Sequence, residues 1–282
     1  MKKLFAVISM LLVSNLAMSQ DRFADVELSF SQVKDNIWVL FGAGGNIGLS
    51  FGDDGVVVID TQFSELSERH YAAIEAEFPG YDTTLVLNTH YHGDHAGGNP
   101  FWEAHAHILS HNNVRTRLEA ADKPGLPSLT YSSAMEVYLN GQHISLVHPG
   151  PAHTDGDTIV IWNDLNVVHT GDLFFKDRFP YVDLDSGGSV QGYYDAVTAM
   201  ITNMDAETKI IPGHGDLATL ADYQNFQMML GDSIAWMTAA KADGKTLEQL
   251  IDEDVPAKWS DWGWQFISNE RWITTLYNDI NE

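Results

Sequence analysis

The sequence predicts an α/β fold, on three observations. Short apolar, β-branched runs alternate with stretches of helical character, and no low-complexity linker separates them. Gly, Pro and Asn-Gly turns punctuate the alternation. Two parts of the chain also echo each other. Residues 56–60 (Val-Val-Val-Ile-Asp) and 85–90 (Leu-Val-Leu-Asn-Thr-His) are matched by 167–172 and 209–214. Each pair is a strand ending in aspartate followed by a later strand ending in histidine. The pattern suggests two αβ halves that deliver residues to one seam.

Taken in order, 36–41, 46–51 and 56–60 read as short strands between Gly turns. A helix over 64–78 stops at Pro79-Gly80. Residues 84–87 form a strand that runs into Asn88-Thr89-His90, followed by a strand at 108–110 and a helix at 112–121. The runs 134–139 and 143–148 flank Asn140-Gly141, a strong hairpin signal, and 158–162 and 166–170 flank 163–165 in the same way. A helix at 189–204 starts from Ser189 as N-cap. A strand at 209–211 and a long helix at 218–240 follow. The tail, 259–280, is aromatic, helical at its end, and expected to pack on the body.

Residues 1–19 read as a signal peptide. Lys2 and Lys3 open it, 4–13 is apolar except for Ser9, and Ala17-Met-Ser19 supplies small residues for cleavage near Gln20. The run is too short to span a bilayer comfortably. The expectation is export to the periplasm or medium, leaving one domain, 20–282, with no membrane partner.

Apolar residues make up 44% of the chain, enough for a packed core. Against 15 Lys and Arg stand 39 Asp and Glu, a formal charge of −24. Such a chain repels phosphate backbones, and beyond the leader's Lys2-Lys3 its densest basic stretch is only Arg115-Thr-Arg117, so a nucleic-acid partner is disfavoured. The absence of cysteine excludes disulfides, thiolate metal sites and a cysteine nucleophile. A small-molecule substrate remains.

The chemistry concentrates in His90-Tyr-His92-Gly-Asp94-His95, directly after a predicted strand. Histidines at i and i+2 can meet one metal from an extended or turning backbone, while Asp94 and His95 project to another side of the loop, where a second could sit. Neutral imidazole and carboxylate suit Zn²⁺, with Mn²⁺ and Fe²⁺ as competitors. Gly93 is expected to permit a sharp turn, and Gly97-Gly98 a close approach of the next segment.

Thr89-His-Tyr-His-Gly-Asp-His95 resembles the signature of the metallo-β-lactamase-fold hydrolases. Four further motifs of that family are matched in order: Val58-Ile-Asp60, Gly150-Pro-Ala-His153-Thr-Asp-Gly-Asp157, Thr170-Gly-Asp172-Leu and Ile211-Pro-Gly-His214-Gly. The resemblance runs from about 37 to 216. Beyond it, Trp262-Gly-Trp264 and Tyr277 look like features of exported members. The resemblance implies a four-layer αβ/βα sandwich with two Zn²⁺ ions at one edge. His90, His92 and His153 would hold one ion, Asp94, His95 and His214 the other, and Asp172 would bridge them. A hydroxide between the ions would attack an acyl carbon, Asp94 would carry the proton to the leaving group, and Asp60 would orient ligands without binding metal.

Departures within the family bear on substrate. Asp172 stands where β-lactamases have cysteine or a small residue, and a bridging aspartate looks instead like glyoxalase II, lactonases and RNase Z. The charge argues against RNase Z. An exported enzyme would rarely meet the glutathione thioester of glyoxalase II. Lactonases usually carry tyrosine three residues after the aspartate, where this chain has Phe175. The expected activity is hydrolysis of an ester, thioester or lactone, with β-lactams weak at most. The alternatives are a periplasmic β-lactamase proper, a di-iron oxidoreductase on the same fold and a non-catalytic metal-binding protein. Lys176 and Arg178 are candidates to pair with a substrate carboxylate, and Asp183 to shape a substrate loop. His148 is a candidate to line the cleft. His105, His107, His111, His143 and His169 are expected to be structural or exposed.

Overall fold

The computed structural model describes residues 22–280, so the predicted leader at 1–19 lies outside the described residues. Among the described residues, twelve strands form two sheets. In the first are β1 (Ser29–Lys34), β2 (Ile37–Phe41), β3 (Ile47–Gly52), β4 (Gly55–Ile59), β5 (Thr83–Leu87), β6 (His107–His111) and β7 (Leu129–Tyr131), paired in that order. The first four run antiparallel, and β4 to β7 are parallel. In the second are β8 (Ala134–Leu139), β9 (Gln142–Val147), β10 (Ile159–Trp162), β11 (Val167–Phe175) and β12 (Lys209–His214), antiparallel except that β11 and β12 run parallel. The helices are α1 (Ser67–Glu77), α2 (Gly93–Ala96), α3 (Asn99–Trp102), α4 (Asn112–Ala120), α5 (Val190–Ile201), α6 (Leu220–Ala242), α7 (Leu247–Glu253) and α8 (Asn269–Asp279).

Three cores separate four layers. On β4, Val57 and Ile59 face the second sheet, whereas Val56 and Val58 face α1 and α3. Leu85 and Leu87 face inward and Val86 outward. Across the gap, Ile144, Leu146, Val160, Trp162, Val167 and Ile211 fill the space between sheets. Their neighbours Ile159, Val168 and Ile210 turn to α5, α6 and α8. This period-two alternation builds the αβ/βα sandwich, because each sheet must hide both faces.

Nearly every expected element is present, with shifted ends. β11 continues five residues past its expected end at Thr170, so Asp172 lies within a fully buried strand and not after one. Gly93 is also corrected. A Cβ there would meet nothing, whereas one on Gly97 would lie 2.1 Å from the Gly93 carbonyl oxygen and one on Gly98 2.6 Å from that of Thr61. The close approach is real, and the turn does not need Gly93.

His70 on α1 is fully buried, and neither ring nitrogen has a hydrogen-bond partner. Burial pushes its imidazole from 6.5 down to about 4. Below its ordinary value the unfolded chain takes up a proton that the folded chain refuses. This contribution is therefore present above 6.5 and lost as pH falls toward 4, at up to about 1.4 kcal/mol per pH unit. His70→Leu is expected to flatten that acid-side slope, as measured by urea denaturation over the same pH window.

Candidate metal centre

Asp60 follows β4 and is the first fixed point. It is fully buried and holds a left-handed backbone, φ +67°, a conformation that costs an ordinary residue roughly 1 kcal/mol. Its side chain offsets that cost by accepting three hydrogen bonds: the Thr89 amide, the Thr89 hydroxyl and His95 Nδ1, each at 2.7 Å. His95 is thereby locked with Nε2 toward the seam.

The other imidazoles are held similarly. With its hydroxyl proton given to Asp60, Thr89 Oγ1 accepts from His90 Nδ1 at 3.1 Å. His153 Nδ1 donates to the Tyr181 carbonyl at 2.6 Å. His92 Nε2 lies 3.0 Å from Asp183 Oδ2, which leaves Nδ1 facing His153 Nε2 at 2.9 Å. Each of these four rings, His95 included, spends one nitrogen outward and turns the other inward.

Two groups of inward atoms result. His90, His92, His153 and Asp172 form one and Asp94, His95 and His214 the other, with the ligand atoms of each within 4.8 Å of one another. Asp172 faces both. Its Oδ2 lies 3.4 Å from His153 Nε2 and 3.7 Å from His90 Nε2, and its Oδ1 lies 3.0 Å from His95 Nε2 and 3.4 Å from His214 Nε2. Backbone permits the approach. A Cβ on Gly45 would lie 2.0 Å from the His95 ring, and one on Gly213 2.1 Å from Asp172 Oδ1.

This donor set fits divalent metal. His90 Nε2 and Asp172 Oδ1 are buried without a hydrogen-bond partner, a state that costs stability unless something else meets them. The facing nitrogens of His92 and His153 are both lone pairs once their outward N–H groups are assigned, so they repel unless a cation lies against them. Charge points the same way. Burial would raise the Asp172 carboxyl, but His95 and His214 hold it well below the carboxylate range. Burial would lower His95 and His214, but the carboxylates together outweigh it: Asp172, Asp60 and Asp94 raise His95 well above its ordinary value, and Asp172 with Asp94 raises His214 to about 9. Burial, helped by His92 and His95 and opposed by Asp172, lowers His153 to about 4, so it stays neutral. The cluster therefore demands positive charge, which protons or metal ions can satisfy.

Of the remaining candidates, Lys176 and Arg178 point elsewhere. Lys176 Nζ donates to the Leu217 carbonyl at 3.0 Å, and Arg178 lies over the Trp264 ring at 5.1 Å. Asp183 is a support for His92, not a substrate group. It accepts from the Tyr91 hydroxyl at 2.6 Å and from the Ser186 amide at 3.2 Å. His148 stacks on His111 at 3.9 Å and bonds the Asp157 carbonyl, outside the cleft. Sequence reasoning missed Thr89, Tyr91 and Tyr181 as supports. Their one signal is adjacency to the histidine and Asp183 motifs. Asp183→Asn should weaken metal binding by roughly ten- to a hundredfold with the fold intact. Titration against a chromogenic chelator, beside circular dichroism, measures both, and unchanged affinity would remove Asp183 from this role.

Comparison with known proteins agrees with this geometry. The family model of the metallo-beta-lactamase superfamily matches residues 41–214. The alpha subunit of 2,4-dinitroanisole O-demethylase from Nocardioides sp. (strain JS1661) is 32% identical over 129 residues, 44% of this chain and 39% of that one. Hydroxyacylglutathione hydrolase from Nitrosococcus oceani is 27% identical over 139 residues, 48% of this chain and 49% of that one. The chain thus spans less than half the length of these curated relatives. Among solved structures, a metallo-beta-lactamase from Pontibacter korlensis superposes with a TM-score of 0.66 at 16% identity, over 73% of this chain and 100% of that one, a likeness of fold. With the family model spanning the five motifs and the His/Asp cluster assembled at the seam of the two sheets, the chain belongs to the metallo-β-lactamase superfamily.

Proposed function

We propose that this protein is an exported dinuclear zinc hydrolase that opens an ester, thioester or lactone bond, with β-lactams weak substrates at most. The observation that carries the reading is Asp172, one oxygen toward each group of ligands. His90, His92 and His153 would hold one ion, Asp94, His95 and His214 the other, and Asp172 both. When bound, such ions ionise a water near neutral pH and polarise the acyl carbonyl. The chain's own residues do the rest. Asp60, Asp183, Thr89 and the Tyr181 carbonyl fix four of the five imidazoles, those of His95, His92, His90 and His153, which reduces the reorganisation left for the moment of reaction. Asp94 is the most exposed member of its group, 3.4 Å from His214 and 3.8 Å from His95. It lines the cleft and is positioned to pass a proton to the leaving group. Hydroxyacylglutathione hydrolase among the relatives supports acyl chemistry. The opening residues, 1–19, support export.

Two ions per chain are expected after purification without chelator, because seven ligand candidates exceed one tetrahedral site. Elemental analysis gives the count and separates zinc from iron or manganese. A panel of activated esters, thioesters, lactones and β-lactams on that protein tests the activity. Saturation at one ion overturns the dinuclear site. Efficient β-lactam turnover, at about 10⁴ M⁻¹s⁻¹ or above, with esters untouched overturns the substrate ranking.

A further inference from the structure

The metal ligands open into a cleft of about 510 Å³, within the range of small-molecule sites. Its walls are aromatic: Phe63, Phe175, Tyr181, Trp264 and Phe266. The rings form a chain from one ligand group to the other. Phe175 stacks on His214 with centroids 4.9 Å apart and meets Trp264 at 6.3 Å. Trp264 meets Phe266 at 5.7 Å, Phe266 meets Tyr181 at 5.5 Å, and Tyr181 meets His92 at 5.5 Å.

The far wall comes from the tail, beyond the residues matched by the family model. Backbone and side-chain bonds fix it in place. The Phe179 amide donates to the Trp262 carbonyl at 3.0 Å, and Trp264 Nε1 donates to the Phe179 carbonyl at 2.9 Å. The nearby cations lie against these rings and are not among the residues lining the cleft. Arg178 stacks on Trp264, and Arg271 stacks on Phe266 at 4.4 Å and on Tyr181 at 5.1 Å. Among the described residues, no lysine or arginine lines the cleft. A charged group in it would leave water for ring faces and for the carboxylates of Asp94 and Asp172. An anion seated against Trp264 and Phe266 would gain no cationic partner from the residues lining this cleft; Arg22 and Lys123 line the adjoining pocket beyond Phe63 and His92.

We infer that the substrate carries an uncharged, apolar acyl group of several carbons, seated against Trp264 and Phe266. This rests on the hydrolase reading above for its word acyl, and on the cleft alone for its polarity. The test uses 4-nitrophenyl acetate, hexanoate and hydrogen adipate on metal-replete protein. Partial burial of four methylenes predicts kcat/KM for hexanoate at least about tenfold above acetate. The adipate ester, equal in length with a terminal carboxylate, should fall to the acetate level or below. Trp264→Ala and, separately, the half-exposed Phe266→Ala should bring the hexanoate-to-acetate ratio toward one. Equal rates for hexanoate and hydrogen adipate overturn the inference while leaving the hydrolase reading standing. If no ester is turned over, that reading falls and binding decides the cleft. N-phenylhexanamide should then quench tryptophan fluorescence, with affinity about tenfold above N-phenylacetamide and reduced in Phe266→Ala. Equal affinities for the two amides overturn the inference.

Discussion

Asp172→Asn is expected to leave one tightly held metal ion per chain and to lower turnover by about ten- to a hundredfold or more. The carboxylate is buried in β11 with one oxygen toward each group of imidazoles. Asparagine keeps the volume but removes the charge and turns one oxygen into an amide NH₂. That NH₂ cannot accept, and on either side it would face nitrogens that also need a cation. His90, His92 and His153 still converge without Asp172, each held by its own outward bond. The second group keeps only Asp94, the most exposed of the seven, as its negative charge. It should therefore lose its ion first. Tyr193 donates to the Asp172 backbone carbonyl, which the substitution leaves alone, so the strand should hold. The opposing view makes Asp172 a loop anchor. Under it the variant melts earlier, yet keeps two ions and full activity per folded molecule. Metal content, melting temperature and turnover on one preparation separate the two.

Asp60→Ala is expected to cost about 3–5 kcal/mol of stability, the scale seen when one partner of a buried charged network is deleted. The loss has three parts. The Thr89 amide is left buried without an acceptor, the Thr89 hydroxyl loses its acceptor, and His95 Nδ1 loses the group that sets its tautomer. Alanine must also hold the left-handed backbone that Asp60 occupies. Urea denaturation with excess metal and with chelator reads the effect. A loss below about 1 kcal/mol would mean that the loop keeps its shape without the carboxylate. Asp60→Asn should recover part of the stability by accepting the Thr89 amide bond, but not the metal affinity that depends on His95.

The histidine loop was legible because its information is local. Six adjacent residues carry four donor groups after a strand, and no tertiary knowledge is needed to see it. The role of Asp183 was not legible. It meets His92 from 91 positions away, through a turn whose path follows from packing. Lys176 and Arg178 show the same limit in another form. The sequence places them beside the site, but side-chain direction is set by Leu217 and Trp264. Among the elements, β1 and β7 escaped notice because both are edge strands with exposed, polar positions that blunt the alternation. α7 carried a readable mark, the capping box of Thr246 and Gln249, that went unread.

The ligands are split between the two sheets. Four leave the first after β5, and three come from the second, at His153, Asp172 and His214. An ion bound among them is thus a party to the folding equilibrium. The unfolded chain cannot assemble the set, so each site adds stability that grows with the logarithm of free ion, about 2.7 kcal/mol at a hundredfold excess over its dissociation constant. The denaturation midpoint then becomes a property of the surroundings as well as of the chain. Where free metal ion is set by whatever else competes for it, the same molecule would be sturdy in one medium and fragile in another.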